Sequence, residues 1–534
     1  MENIEKVNNA KLMPINAILN KYGISDDYII NYGKYIAKID IDNLKNTKTG
    51  KLILVTSISP TIYGEGKTTT AIGLVDALNK LDKNAVAILR EPALGPVFGT
   101  KGGATGGGCA KVIPSDDINL HFTGDMSAIC TANNLLCAII DNHIFQGNEL
   151  KIKKVVLPRT IDINDRALRN ITINSSYNRE DHFILTVASE LMACVCLAND
   201  FKELKEMVAN MIVAYNDTGK PIYTKDLQAV EAVCILLKET IKPNVVQTLE
   251  HNLAIIHGGP FANIAHGTAS IRAIKTGLKN FSYSVVEAGF GSDLGAEKFF
   301  DIVCPKGNFY PDVVILNATI RALKYNGQGN LTEGLANLQA HIDNMLNFSK
   351  NIIVSLNKFS DDSIEDINIV RDYVKKQGLE FAINDTYSKG SNGGLELAQK
   401  TILLSNSDNK KIVKLYDDNL KVKEKIFALV KKVYHAKEVA YSKEAEEKIK
   451  SLEALKLDKY PICVSKTPMS ISDNKELLGY PKDFTMHVTD IKLNKGAGFI
   501  VVFMGNVITL PGLNKNSNYL KMHIDDNGNI KELM

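Results

Sequence analysis

The sequence contains no tryptophan, no CxxC pair and no apolar run of the roughly 18 residues that a bilayer-spanning helix needs. Each absence excludes something. Without a CxxC pair, the motif that delivers a metal through two close thiolates is missing. The eight cysteines are scattered along the chain, as expected of reduced thiols in a cytosol. The first residues, MENIEKVNNAKLMPINAILNKYGI, lack the apolar core and cleavage site of a secretory signal. The expectation is a soluble, cytoplasmic protein. Charge of one sign is missing too: 63 basic against 60 acidic side chains leave a net +3. No global field draws this chain to nucleic acid or to an anionic membrane, so any anion it binds is held locally.

What is present is an ordinary globular composition, 45% apolar and 23% charged, in 534 residues, too many for one compact core. Lys51 to Ser57 (KLILVTS) and Ala85 to Leu89 (AVAIL) are short, nearly all-apolar runs of the kind that form strands buried on both faces. A helical stretch from Thr68 to Leu81 separates them, giving strand, loop, helix, strand. Similar runs recur at Ser284 to Ala288, Asp312 to Leu316 and Asn351 to Leu356. The fold class predicted is α/β, a large mostly parallel sheet domain of phosphate-loop type with smaller α/β domains added. Residues 405–459 are polar and lysine-rich at helical spacing and read as an exposed helical connection. From residue 460 the pattern turns strand-like, as in a small terminal subdomain. The division expected is 1–335, 336–455 and 456–534.

The strongest chemical signal follows the first strand. In SPTIYGEGKTTT, Gly64, Glu65, Gly66, Lys67, Thr68 and Thr69 run into a helix start, where backbone N–H groups and the helix dipole attract phosphate. Lys67 supplies a cation to the β- and γ-phosphates, and the Thr68 hydroxyl is a ligand for Mg²⁺. The strict phosphate-loop pattern has glycine where this chain has Thr61.

The second strand ends in Arg90-Glu91, at the sheet edge where ligands of parallel α/β folds collect. Arg90 there either grips an anion or closes an ion pair. Five glycines in KGGATGGGCAK (Lys101 to Lys111) suggest close backbone approach to a ligand. His121 and Asp125, in NLHFTGD, offer a base, a carboxylate near a metal or a substrate anchor, while a lone histidine serves structure more often. IHGGPFANIAHG and EAGFGSDLGAEK mix glycine with His, Asp and Glu and read as site lining.

Together, GEGKTTT, LREPALGPVFGTKGG, DINLHFTGD, HGGPFANIAHG, EAGFGSDLGAEKFFD and TLPGL resemble the formate-tetrahydrofolate ligase family, from about Lys11 to the C-terminus. The resemblance implies ATP-dependent transfer of formate to N10 of tetrahydrofolate through formyl phosphate. In that reading Lys67, Arg90, Glu91, His121 and Asp125 are catalytic. It also implies Mg²⁺, a monovalent cation and a homotetramer. A folate ring would stack between Phe359 and the position of a family tryptophan, occupied here by Tyr387.

Other departures are Ile62-Tyr63 in place of a proline-alanine pair, and a shortened loop at Asn174 to Asp181. Two other readings stay open: a paralogue making an acyl phosphate for another acceptor, and a nucleotide switch. For the switch, Asn357-Lys358 resembles a guanine-reading motif, but Ser360 replaces its aspartate.

Overall fold

The structure is a computed structural model describing residues 11–40, 49–174, 178–407, 414–531 and 533. Residues 175–177, within the shortened loop, lie outside the described residues. The apolar runs do become strands. We label β1 (Lys51–Ser57), β2 (Ala85–Leu89), β3 (Leu253–Ile256), β4 (Tyr283–Glu287), β5 (Val313–Ala318), β6 (Ile352–Asn357) and β7 (Glu380–Asn384). They lie parallel, in the order β3-β2-β4-β1-β5-β6-β7, within a 12-stranded sheet. Antiparallel strands Asn244–Thr248, Ala37–Ile39 and Ile29–Asn31 extend it beyond β3.

Side chains alternate across each strand, so one sheet serves two cores. Ile53, Val55, Ala87, Leu89, Val285 and Ile315 pack with Ile72, Leu74, Val75 and Leu78 of helix α1 (Lys67–Lys80). Leu52, Leu54, Val86, Ile88, Val286 and Val314 face the opposite layer. Burial on both faces is why these strands read as unbroken apolar runs rather than alternating ones.

A second sheet, of four strands, closes the C-terminal region: Glu438–Tyr441, Thr485–Asn494, Phe499–Met504 and Ile462–Ser465. This corrects the reading of 405–459 as an exposed connection. Glu438–Tyr441 pairs in parallel with Thr485–Asn494, and Val422, Ile426, Leu429 and Val430 of helix Val422–Lys432 are buried. Most of the lysines solvate the outer face, while Lys425 is buried and donates to the Asp458 and Tyr460 carbonyls, and composition averaged over the segment concealed the inner face. Among the described residues no helix is long and apolar enough to cross a membrane.

Candidate active site

The parallel strands carry their C-terminal ends to one edge, and β1 leads directly into the loop before α1. Gly66 caps that helix at φ +71°, and no side chain satisfies the first-turn amides. These amides therefore stay available to an anion. Glycine is required at 66 for two reasons. A side chain would be strained at that φ, and its Cβ would stand 2.4 Å from Asn357 Nδ2.

The loop is held from below. Glu65, buried, accepts from the Thr61 amide at 2.6 Å and from the Thr319 hydroxyl. Arg321 donates to the Gly64 carbonyl at 2.8 Å, and Asn357 Nδ2 to the Glu65 carbonyl at 3.3 Å. Thr61 and Glu65, expected to touch nucleotide, thus brace the loop. Asn357, half of the guanine-like motif, is engaged in the same bracing, which removes the observation behind the switch reading.

Above the loop, cations gather. Lys67 Nζ donates to Ser57 Oγ at 3.1 Å, and the Thr68 hydroxyl donates to Glu287 Oε2 at 2.7 Å. Glu287 ends β4, the strand beside β1, and is buried. Its Oε1 lies 3.6 Å from Arg90 Nε, so the ion pair of Arg90 is with Glu287 rather than with its neighbour Glu91. Gly289 makes room for this arrangement, because a Cβ there would sit 2.8 Å from Arg90 Nη1. Thr69 is buried behind Thr68 on the first turn.

Lys101, at the head of the glycine run, brings its ammonium 4.4 Å from the Phe290 ring centroid. Crowding by protein atoms, then repulsion from Arg90 and Lys67, pushes Lys101 down to about 7. The residue is also open to solvent, which works against that shift.

Burial is the largest influence on Lys67 and lowers it to about 8; Arg90 adds to the shift, while Glu287 and Glu65 oppose it. The cationic form is therefore lost as pH rises through about 8 in the free protein. If Lys67 must meet phosphate as an ammonium, kcat/KM for MgATP falls about tenfold per pH unit above that value. kcat holds to higher pH, because bound phosphate raises Lys67 again. A flat kcat/KM profile from pH 7 to 10 would contradict the role.

Glu91 and Asp125 form a separate buried cluster. Asp125 begins helix α2 (Asp125–Phe145) and accepts from Lys38 Nζ at 2.8 and 2.9 Å and from Asn244 Nδ2 at 2.8 Å. Burial first, then the charge of Asp125, holds Glu91 well above the usual carboxylate range, and its Oε2 has no partner among the described residues. His121 is exposed on the turn before α2, its carbonyl taking the Gly124 amide at 2.8 Å.

The two aromatics follow adjacent parallel strands, Phe359 after β6 and Tyr387 after β7. The Arg321 guanidinium lies over Phe359, 4.7 Å from the ring centroid, and 5.4 Å from that of the exposed Tyr63. Tyr387 is half exposed. Its carbonyl accepts from the Cys109 amide at 2.8 Å, and its ring lies against Gly107 and Gly108.

The sequence does not single out Glu287 or Lys101 as individual residues. The available signal was a lone acid ending an apolar strand, and a lysine opening a glycine run.

A bracing carboxylate, a helix start with free amides and cations beside one acid stand at the edge of a large, mostly parallel α/β sheet. A family model for formate-tetrahydrofolate ligase matches residues 1–534. The chain is also 50% identical to the formate-tetrahydrofolate ligase of Caldicellulosiruptor saccharolyticus over 552 aligned positions, covering 99% of this chain and 100% of that protein. The chain belongs to the formate-tetrahydrofolate ligase family.

Proposed function

We propose that this protein joins formate to N10 of tetrahydrofolate, using ATP, in two steps. A formate oxygen attacks the γ-phosphorus, releasing ADP and forming formyl phosphate. The N10 amine then attacks the formyl carbon, and phosphate leaves. The observation that carries the reading is the convergence of Lys67, Arg90 and Lys101 on Glu287 at the start of α1. Formate is a weak nucleophile and the phosphoryl oxygens repel it, so positive charge is the main requirement of the first step. Lys67 neutralises the phosphates, and Arg90, with a planar donor fork, suits the formyl phosphate anion.

The Thr68 hydroxyl and Glu287 carboxylate are hard oxygen donors 2.7 Å apart and fit Mg²⁺, which when bound shares the phosphate charge. The unpartnered Glu91 oxygen beside Asp125 fits a monovalent cation. Phe359 and Tyr387 are the candidate platforms for the pterin. A homotetramer and a cytoplasmic location complete the reading, on family resemblance.

The test is turnover with [¹⁸O]formate. Transfer of ¹⁸O into the released phosphate, with formyltetrahydrofolate formed in equal amount, is the expected result. ADP release at the same rate without tetrahydrofolate, or unlabelled phosphate, would overturn it. Tyr387→Trp should lower KM for tetrahydrofolate about two- to fivefold, the worth of roughly 0.5–1 kcal/mol of extra stacking. An unchanged KM would remove Tyr387 from the folate site.

A further inference from the structure

A cavity of about 1270 Å³ lies between the small sheet containing Ile152–Val155 and Ile212–Asn216 and the C-terminal elements Lys443–Ala454 and Thr485–Asn494. None of the residues assigned above to phosphate, formate or folate lines it. Ile264 does, and it belongs to the loop whose Pro260 carbonyl accepts from Arg90 Nη1 at 3.4 Å.

Its wall holds polar groups that the fold leaves unused. Lys492 is half-buried, and among the described residues nothing hydrogen-bonds or ion-pairs with its ammonium. The acids nearest in charge are engaged elsewhere: Glu190 accepts the Gly496 amide at 2.7 Å and the Ala497 amide at 3.3 Å, and Asp490 accepts from Lys448. Burial lowers the Lys492 ammonium, a sign that it lacks full compensation. Asn494, also a lining residue, has a buried Oδ1 without a partner among the described residues. Tyr215 and Phe503 present partly exposed rings, and Ile184 and Ile491 complete an apolar floor.

An ammonium without a hydrogen-bonded partner, on a wall that also carries apolar and aromatic side chains, suits an anion with a flat organic body, and the volume far exceeds what an inorganic ion needs. We propose that this cavity is a second ligand site, for an organic anion of about nucleotide size whose carboxylate or phosphate meets Lys492 while its ring lies against Tyr215 and Phe503.

The experiment is calorimetric titration of the full chain under saturating MgADP, which blocks the phosphate loop, with 2-naphthoate and 2-naphthyl phosphate as probes. One site per chain is expected, and the tighter probe identifies the head group. Lys492→Met should weaken binding at least tenfold. Ser451→Trp, on the exposed face of the rim helix, should abolish it. Both variants should keep turnover within twofold of the parent. Affinity unchanged in both variants, or no binding of either probe to the parent, would overturn the assignment.

Discussion

Lys67→Met is expected to lower turnover about a thousandfold or more, with the thermal midpoint moved by no more than about 2 °C. The first number is electrostatic. A unit charge about 4 Å from a phosphate oxygen, at an effective dielectric near 20, contributes about 4 kcal/mol, or three powers of ten in rate if felt mainly in the transition state. The second number follows from how little Lys67 does for the fold. Among the described residues it makes one hydrogen bond, to Ser57, and repulsion from Arg90 works against its attraction to Glu287 and Glu65. Removing it relieves a crowd of like charges, so thermal scans should show no loss, and nucleotide titration should show weakened binding to a folded protein. Normal turnover in this variant would place the phosphate site elsewhere.

Glu287→Gln should be nearly as severe, about a hundred- to a thousandfold in kcat, with at least a tenfold rise in the Mg²⁺ concentration needed for half-maximal activity. Glutamine keeps the shape and can still accept from Thr68, so the change isolates the charge. That charge pairs with Arg90 and raises both Lys67 and Lys101 toward their ordinary values, while Glu65 acts on Lys67 alone. Without it the lysines lose their protons at lower pH, so the falling limb of kcat/KM should move to lower pH in the variant. An unmoved pH limb together with unchanged Mg²⁺ dependence would reduce Glu287 to a structural partner of Thr68.

The first variant tests a residue that the sequence advertises, the second one that it hides. Gly66-Lys67-Thr68 is legible because all its causes are local: a buried strand, a glycine able to take positive φ, and a helix start with free amides. The strand runs are legible for a similar reason, since two buried faces leave no polar alternation. Residues 405–459 misled because lysines on an amphipathic helix report its wet side, while Val422, Ile426 and Leu429 are spaced among them. The family resemblance also carried Phe359 and Tyr387, but not the stacking of Arg321 on Phe359 or the bracing role of Glu65.

What the sequence determined by itself is the mostly parallel α/β class, the glycine-rich turn into the helix at Lys67, and the family. Tertiary structure decided which acid and which further cation lie beside that helix start. Glu287 lies 219 positions from Thr68 in the chain, and it arrives because β4 is inserted between β2 and β1, beside the strand that leads into the loop. Strand order is a property of how the whole sheet buries its two faces, and no local pattern of residues encodes it.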